Sequence, residues 1–117
     1  MKFRIFLTCL VLGTAAMPDC ASASNPTQIL VIHDNQFEPR QLYVPADVKL
    51  KLVIRNLDGL PVEFESYDLS REIVVPGHGE VTFFVGPLLP GNYQFFNDFN
   101  HGMQGTIVAK PAVSKGN

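Results

Sequence analysis

Asp98, His101 and Met103 fall together on the connection between two strand-like stretches, residues 93–96 and 106–109. A carboxylate, an imidazole and a thioether on such a connection can hold a metal ion, because the flanking strands frame the loop rigidly. The same residues have plainer uses. A lone histidine serves as a surface or capping side chain, and Met103 suits core packing as well as a soft axial position. No cysteine stands in this stretch. Upstream, Glu63, Glu65, Asp68 and Glu72 concentrate carboxylates. On a strand, Glu63 and Glu65 share one face while Val62 and Phe64 take the other. Two neighbouring carboxylates repel unless a cation or a basic group lies between them; the alternative is a solvated outer face with Arg55 or Arg71 nearby. His78, in a Pro-Gly-His-Gly turn, reads as exposed, and His33, at a strand end, as structural.

An all-β domain must position these donors. Residues 28–33 form a β-branched run and 34–39 a loop. Residues 48–55 alternate, with Val48, Leu50, Leu52 and Ile54 on one side and Lys49, Lys51 and Arg55 on the other; Val53 breaks the pattern. Asn56-Leu57-Asp58-Gly59 is turn chemistry. Strands follow at 61–65, 71–75, 80–85, 93–96 and 106–109, with turn-rich connections at 76–79 and 86–91. Residues 66–70 suit a short helical turn, and 110–117 a frayed tail. Seven to eight short strands with regularly spaced turns predict a Greek-key β-sandwich.

The first residues belong to a different kind of segment. Lys2 and Arg4 precede an apolar run, 5–16, of signal-peptide length, and Ala21-Ser22-Ala23 fits a small-x-small cleavage site. Residues 1–23 are therefore expected to be a cleaved signal peptide and 24–117 an exported domain, periplasmic in a bacterium. Met17-Pro18-Asp19 matches poorly the residues that precede a lipidated cysteine at Cys20. Cleavage would remove Cys9 and Cys20, so the domain must hold by its core, without a disulfide. It would keep seven basic and ten acidic side chains, an acidic balance that excludes nucleic acid as the expected partner and suits a cation. No Gly-x-Ser-x-Gly, phosphate-binding glycine loop or cysteine nucleophile is present in residues 24–117, so no catalytic turnover is expected from the chain itself.

Gly91-x-Tyr93-x-Phe95-Phe96, a short loop, then Met103-x-Gly105-Thr106-Ile107-Val108 resembles the copper-loop segment of cupredoxins. Phe37-x-Pro39, Asn56, Gly59-Leu60-Pro61 and Pro76-Gly77 fit the rest of that domain. The resemblance places Asn97 in the cysteine slot, Asn100 in the second-histidine slot, and Val62 or Glu63 in the first-histidine slot; Met103 alone keeps its place. A blue copper site needs the thiolate, so that chemistry is not implied.

Glu63-Phe64-Glu65-Ser66, Arg71-Glu72, Pro76-Gly77, Gly86-Pro87-Leu88-x-Pro90-Gly91 and Phe95-Phe96-x-Asp98-Phe99 are similar to cupredoxin-like proteins of bacterial iron-uptake systems. That resemblance implies an oxygen-rich site for iron or copper, with Glu63, Glu65, Glu72, Asp98 and His101 as ligands and Met103 as a further one. It also implies a membrane iron permease and other periplasmic iron-uptake proteins as partners, and a role in binding ferrous iron and helping to oxidise it. Carboxylates suit Fe³⁺, whereas imidazole mixed with carboxylate suits Cu²⁺ or Fe²⁺. Two rival readings stay open: a copper chaperone using His101, Met103 and His33, and a metal-free interaction module on the same scaffold.

Overall fold

Alternation of apolar and polar side chains builds two β-sheets around one core. The computed structural model describes residues 25–112 and the single residue Gly13. Apart from Gly13, the expected signal peptide with Cys9 and Cys20 lies outside the described residues, as do residues 113–117.

Nine strands follow in order: β1 Thr27–His33, β2 Gln36–Glu38, β3 Gln41–Pro45, β4 Leu50–Asn56, β5 Val62–Ser66, β6 Arg71–Val75, β7 Glu80–Val85, β8 Gly91–Asn97 and β9 Asn100–Lys110. One sheet runs β2-β1-β4-β7, the other β3-β9-β8-β5-β6. The pairs β1–β4 and β3–β9 are parallel and the rest antiparallel. No helix among the described residues is long and apolar enough to cross a membrane.

The sandwich is as predicted, with local differences. Residues 34–39 are not a loop. Asp34 and Asn35 take positive φ (51° and 56°), which Asp and Asn tolerate, and close a tight β1–β2 hairpin. Asp58 stabilises this turn by accepting both backbone N–H groups, at 3.0 and 2.9 Å. Residues 66–70 form a hairpin turn instead of a helical one. Ser66 Oγ accepts from Leu69 N at 3.1 Å and donates to Gln94 O at 2.6 Å, and Ser70 adopts φ 52°. Lys110 is not frayed, because its carbonyl accepts from Ala46 N at 2.8 Å.

The core lies between the sheets. Phe37, Phe64 and Phe95 are its largest fully buried side chains. Phe37 meets Phe95 edge-on with ring centroids 4.9 Å apart, and Phe64 lies 5.1 Å from Phe95. Gly105 exists for this cluster. A Cβ there would lie 2.6 Å from Phe95 Cε2 and 3.0 Å from Arg40 O. Gly105→Ala is expected to cost about 1–3 kcal/mol through overpacking, read as a lowered urea midpoint with unchanged slope.

The loop end is bound by a buried amide. Asn56, 1 % exposed, donates from Nδ2 to Leu60 O at 2.8 Å and accepts at Oδ1 from Asp58 N at 2.9 Å. It fastens the β4–β5 connection immediately before the acidic strand β5.

Candidate metal centre

Strand β5 reads Val62-Glu63-Phe64-Glu65-Ser66, with Val62, Phe64 and Ser66 buried and Glu63 and Glu65 half-buried on the outer face. Strand β6 pairs with it antiparallel, and Glu65 stands directly opposite Glu72. Glu63 lies opposite Val74, so it meets Glu72 on the diagonal. The result is a tight triad: one carboxylate oxygen from each of Glu63, Glu65 and Glu72 lies within 4.8 Å of the others.

The β8–β9 hairpin completes this face. The connection expected over residues 97–105 is mostly strand: only Asp98 and Phe99 form the turn, and the strands resume at Asn100. Pairing shifts from Asn97↔Asn100 to Phe96↔Gln104, so a bulge carries His101, Gly102 and Met103 out of the ladder. Asp98 N donates to Glu63 O at 2.9 Å, which holds the turn against β5. Asp98 comes within hydrogen-bonding reach of Glu65, and its Oδ1 lies 3.1 Å from His101 Nε2. Glu63, Glu65 and Glu72 thus form the tight group, with Asp98 beside Glu65 and His101 beside Asp98.

Met103 does not join them. It is 4 % exposed and packs in the core, its sulfur 3.6 Å from Asn97 Nδ2. Asn97 Oδ1 accepts from Glu63 N and Phe99 N, both at 3.0 Å. Both oxygen lone pairs are engaged and the nitrogen carries protons. The slot that the resemblance assigns to a copper thiolate therefore offers no metal donor, and these residues do not fit a blue copper centre. His33 stands elsewhere, at the end of β1 beside Asp34 (3.5 Å) and Glu38 (4.0 Å). His78 is exposed in its turn.

The basic groups offered as alternative partners bond to other groups. Arg55 pairs with Glu80 at 2.9 Å, on the other sheet. Arg71 Nη2 donates to Phe84 O at 2.8 Å. Among the described residues, no Lys or Arg forms an ion pair with Glu63, Glu65 or Glu72.

Crowded like charges leave their mark on protonation. The Glu63 carboxyl is raised from 4.5 to about 7, first by its hydrogen bond with Glu72, then by burial and by the charges of Glu72, Asp98 and Glu65. Glu65 is also raised, by burial and then by the Asp98 and Glu72 charges. The metal-free fold therefore holds a proton that the unfolded chain has released between about pH 4.5 and about pH 7. Across that window the folded state binds more protons, so stability falls as pH rises. The metal-free protein is expected to lose thermal stability over this range, and a bound cation to reverse the loss by replacing the proton. Thermal unfolding at a series of pH values, with and without Cu²⁺, checks both.

Tyr67 was not evident from the sequence as part of this face. It is 76 % exposed, its ring lies 5.5 Å from Phe96, and its hydroxyl reaches Glu65. The carboxylate charge of Glu65 raises the pKa of its phenol and so disfavours the phenolate, with burial and the Asp98 charge adding to the effect. Phe96 continues to His101 at 5.3 Å, edge-on. Tyr67 stands two residues after Glu65, at the start of the β5–β6 turn, a position that a helical reading of 66–70 turns elsewhere. A cavity of about 260 Å³ beside the triad is lined by Glu65, Tyr67, Arg71 and Glu72.

The two-sheet topology and the hairpin in place of a copper loop define a cupredoxin-type sandwich. The profile of the cupredoxin-like domain family matches residues 4–109, and the chain belongs to that family. An uncharacterized protein of Rickettsia prowazekii is 40% identical over 80 residues, a match covering 68% of this chain and 64% of that protein's length. The chain thus spans a little under two thirds of this relative. Among solved structures, amicyanin from Paracoccus versutus superposes with a TM-score of 0.58 at 12% identity, over 75% of this chain and 83% of amicyanin. Auracyanin A, a blue copper protein of Chloroflexus aurantiacus, gives 0.61 at 14% identity, over 74% of this chain and 100% of auracyanin A. At such identities the likeness is one of fold.

Proposed function

We propose that this protein binds an iron or copper ion on the face formed by Glu63, Glu65, Glu72, Asp98 and His101. On this reading it serves iron acquisition as an exported, periplasmic accessory that receives iron and delivers it to a membrane iron permease. The observation that carries the proposal is the triad itself: three carboxylates with ligand oxygens within 4.8 Å and no Lys or Arg ion pair among the described residues. Like charges this close disfavour one another, which raises the Glu63 pKa, and a cation among the three would relieve that repulsion.

The donor set points to hard or borderline cations. Oxygen ligands favour Fe³⁺, and their negative charge stabilises the higher oxidation state, so the reduction potential of iron bound there would be lowered; the electron from Fe²⁺ would have to pass to a separate acceptor such as Cu²⁺ or dioxygen. His101 adds one imidazole on the exposed rim, with 71 % of its side chain accessible, and this favours a second reading in which Cu²⁺ is the resident or assisting ion. Met103 and His33 lie apart from the cluster, which weighs against a Cu(I) chaperone built on soft donors.

The test is a pair of titrations of the purified protein, with Fe²⁺ under anaerobic conditions and with Cu²⁺, followed by competition between them. Iron uptake by iron-limited cells with and without the gene tests the physiological part. Saturable binding of Fe²⁺ together with a fall in uptake on deletion supports the reading. Binding of Cu²⁺ alone, with uptake unchanged, favours the copper reading. No binding of either ion leaves the interaction-module reading.

A further inference from the structure

The backbone segments that carry the proposed ligands are joined by one buried side chain. Asn97, 5 % exposed, stands at the end of β8 immediately before the Asp98–Phe99 turn. Its Oδ1 accepts from Glu63 N on β5 and from Phe99 N in the turn, each at 3.0 Å. Its Nδ2 donates toward Met103 Sδ on β9, at 3.6 Å. Residue Glu63 is thereby held from both sides: its N–H is bound by the Asn97 side chain, and its carbonyl accepts from Asp98 N at 2.9 Å. Direct ladder pairing between β5 and β8 covers only Phe64↔Asn97 and Glu65↔Phe96, so these extra bonds extend the join past the end of the ladder, where Glu63 faces Asp98.

We infer that Asn97 is a positioning residue, the internal tie that sets the spacing of Glu63 and Asp98 before any ion arrives. The inference rests on the proposed metal-binding role of those two carboxylates. Its physical basis is independent of that role. A buried amide whose oxygen satisfies two backbone N–H groups fixes both segments, and its removal leaves those N–H groups unpaired. Supporting groups of this kind hold ligands at their productive separation, and their loss typically lowers metal affinity about 10- to 100-fold. No other residue type makes the same three contacts. Aspartate keeps the two acceptor bonds and loses the one toward Met103, and alanine loses all three.

Two measurements on wild type, Asn97→Ala and Asn97→Asp test this. The first is amide hydrogen exchange at Glu63 and Phe99 in the metal-free protein. The second is calorimetric titration with Cu²⁺. Asn97→Ala is expected to lose protection at those two amides and to bind Cu²⁺ about 10- to 100-fold more weakly, although every proposed ligand is intact. Asn97→Asp restores protection and most of the affinity. Asn97→Ser, a shorter acceptor, falls between them and replaces the alanine variant if that one does not fold. Unchanged protection and affinity in Asn97→Ala overturn the inference. So does an affinity loss that Asn97→Asp fails to restore while its amides stay protected. If wild type binds neither Cu²⁺ nor Fe²⁺, the proposed function fails, and amide exchange alone decides whether Asn97 is the tie.

Discussion

Glu63→Gln is expected to weaken ion binding about 10- to 100-fold, the effect of removing one charged contact, while making the metal-free protein more resistant to heat above about pH 7. The two effects share one cause. Glu63 sits between Glu72, on the diagonal of the β5–β6 ladder, and Asp98, whose backbone is bound to its own carbonyl. Its carboxyl keeps a proton up to about 7 because that proton bridges to Glu72 and relieves the repulsion. On the proposed function, an incoming cation would displace the proton and draw on the same crowded charge. Glutamine supplies a permanent hydrogen-bond donor to Glu72 and carries no charge, so it mimics the protonated state. The fold keeps the benefit of relieved repulsion and the proposed site loses a ligand. Thermal unfolding of the metal-free variant and calorimetric titration with Cu²⁺ read the two effects separately. A variant less stable than wild type above about pH 7, or one with undiminished affinity, is incompatible with this account.

The largest effect on stability is expected at the residue between the two half-buried glutamates. Phe64 is fully buried, and its ring lies 5.1 Å from Phe95, 5.7 Å from Phe83 and 6.4 Å from Phe37. Phe64→Ala opens a cavity between the sheets and is expected to cost about 3–5 kcal/mol. A domain of this kind has about 5–15 kcal/mol in total, and the thiols Cys9 and Cys20 fall in the segment expected to be removed. The substitution therefore removes a large share of the margin. It also releases the strand that presents Glu63 and Glu65, so ion affinity falls with stability. Urea unfolding giving a loss below about 1 kcal/mol would show that the core is not centred on this aromatic cluster.

These two positions show how far the residues speak for themselves. The alternation Val62-Glu63-Phe64-Glu65-Ser66 is strict, so both the buried ring and the outer carboxylates follow from period two. The sandwich follows in the same way from the regular spacing of strands and turns. What was not legible depends on pairing. Strands β2 and β3 are short, and β2 is marked only by one buried Phe37 between exposed neighbours. The stretch 97–105 has Asn, Asp and Gly enough to read as a loop, yet the two acceptor bonds of Asn97 fold it into a hairpin with a bulge. That bulge separates His101, turned outward, from Met103, turned into the core. Two donors separated only by Gly102 thus lie on opposite faces, and spacing alone could not divide them. Tyr67 became visible only once 66–70 proved to be a hairpin turn.

The central claim is that an ion binds on the outer carboxylate face and not in the Asn97–Met103 slot beneath it. One calorimetric experiment addresses this directly: Cu²⁺ titration of wild type, of Met103→Leu, and of a variant with Glu63, Glu65 and Glu72 all changed to Gln. The account predicts wild-type affinity in Met103→Leu and loss of measurable binding in the triple variant. Retained binding in the triple variant, with loss in Met103→Leu, would contradict it.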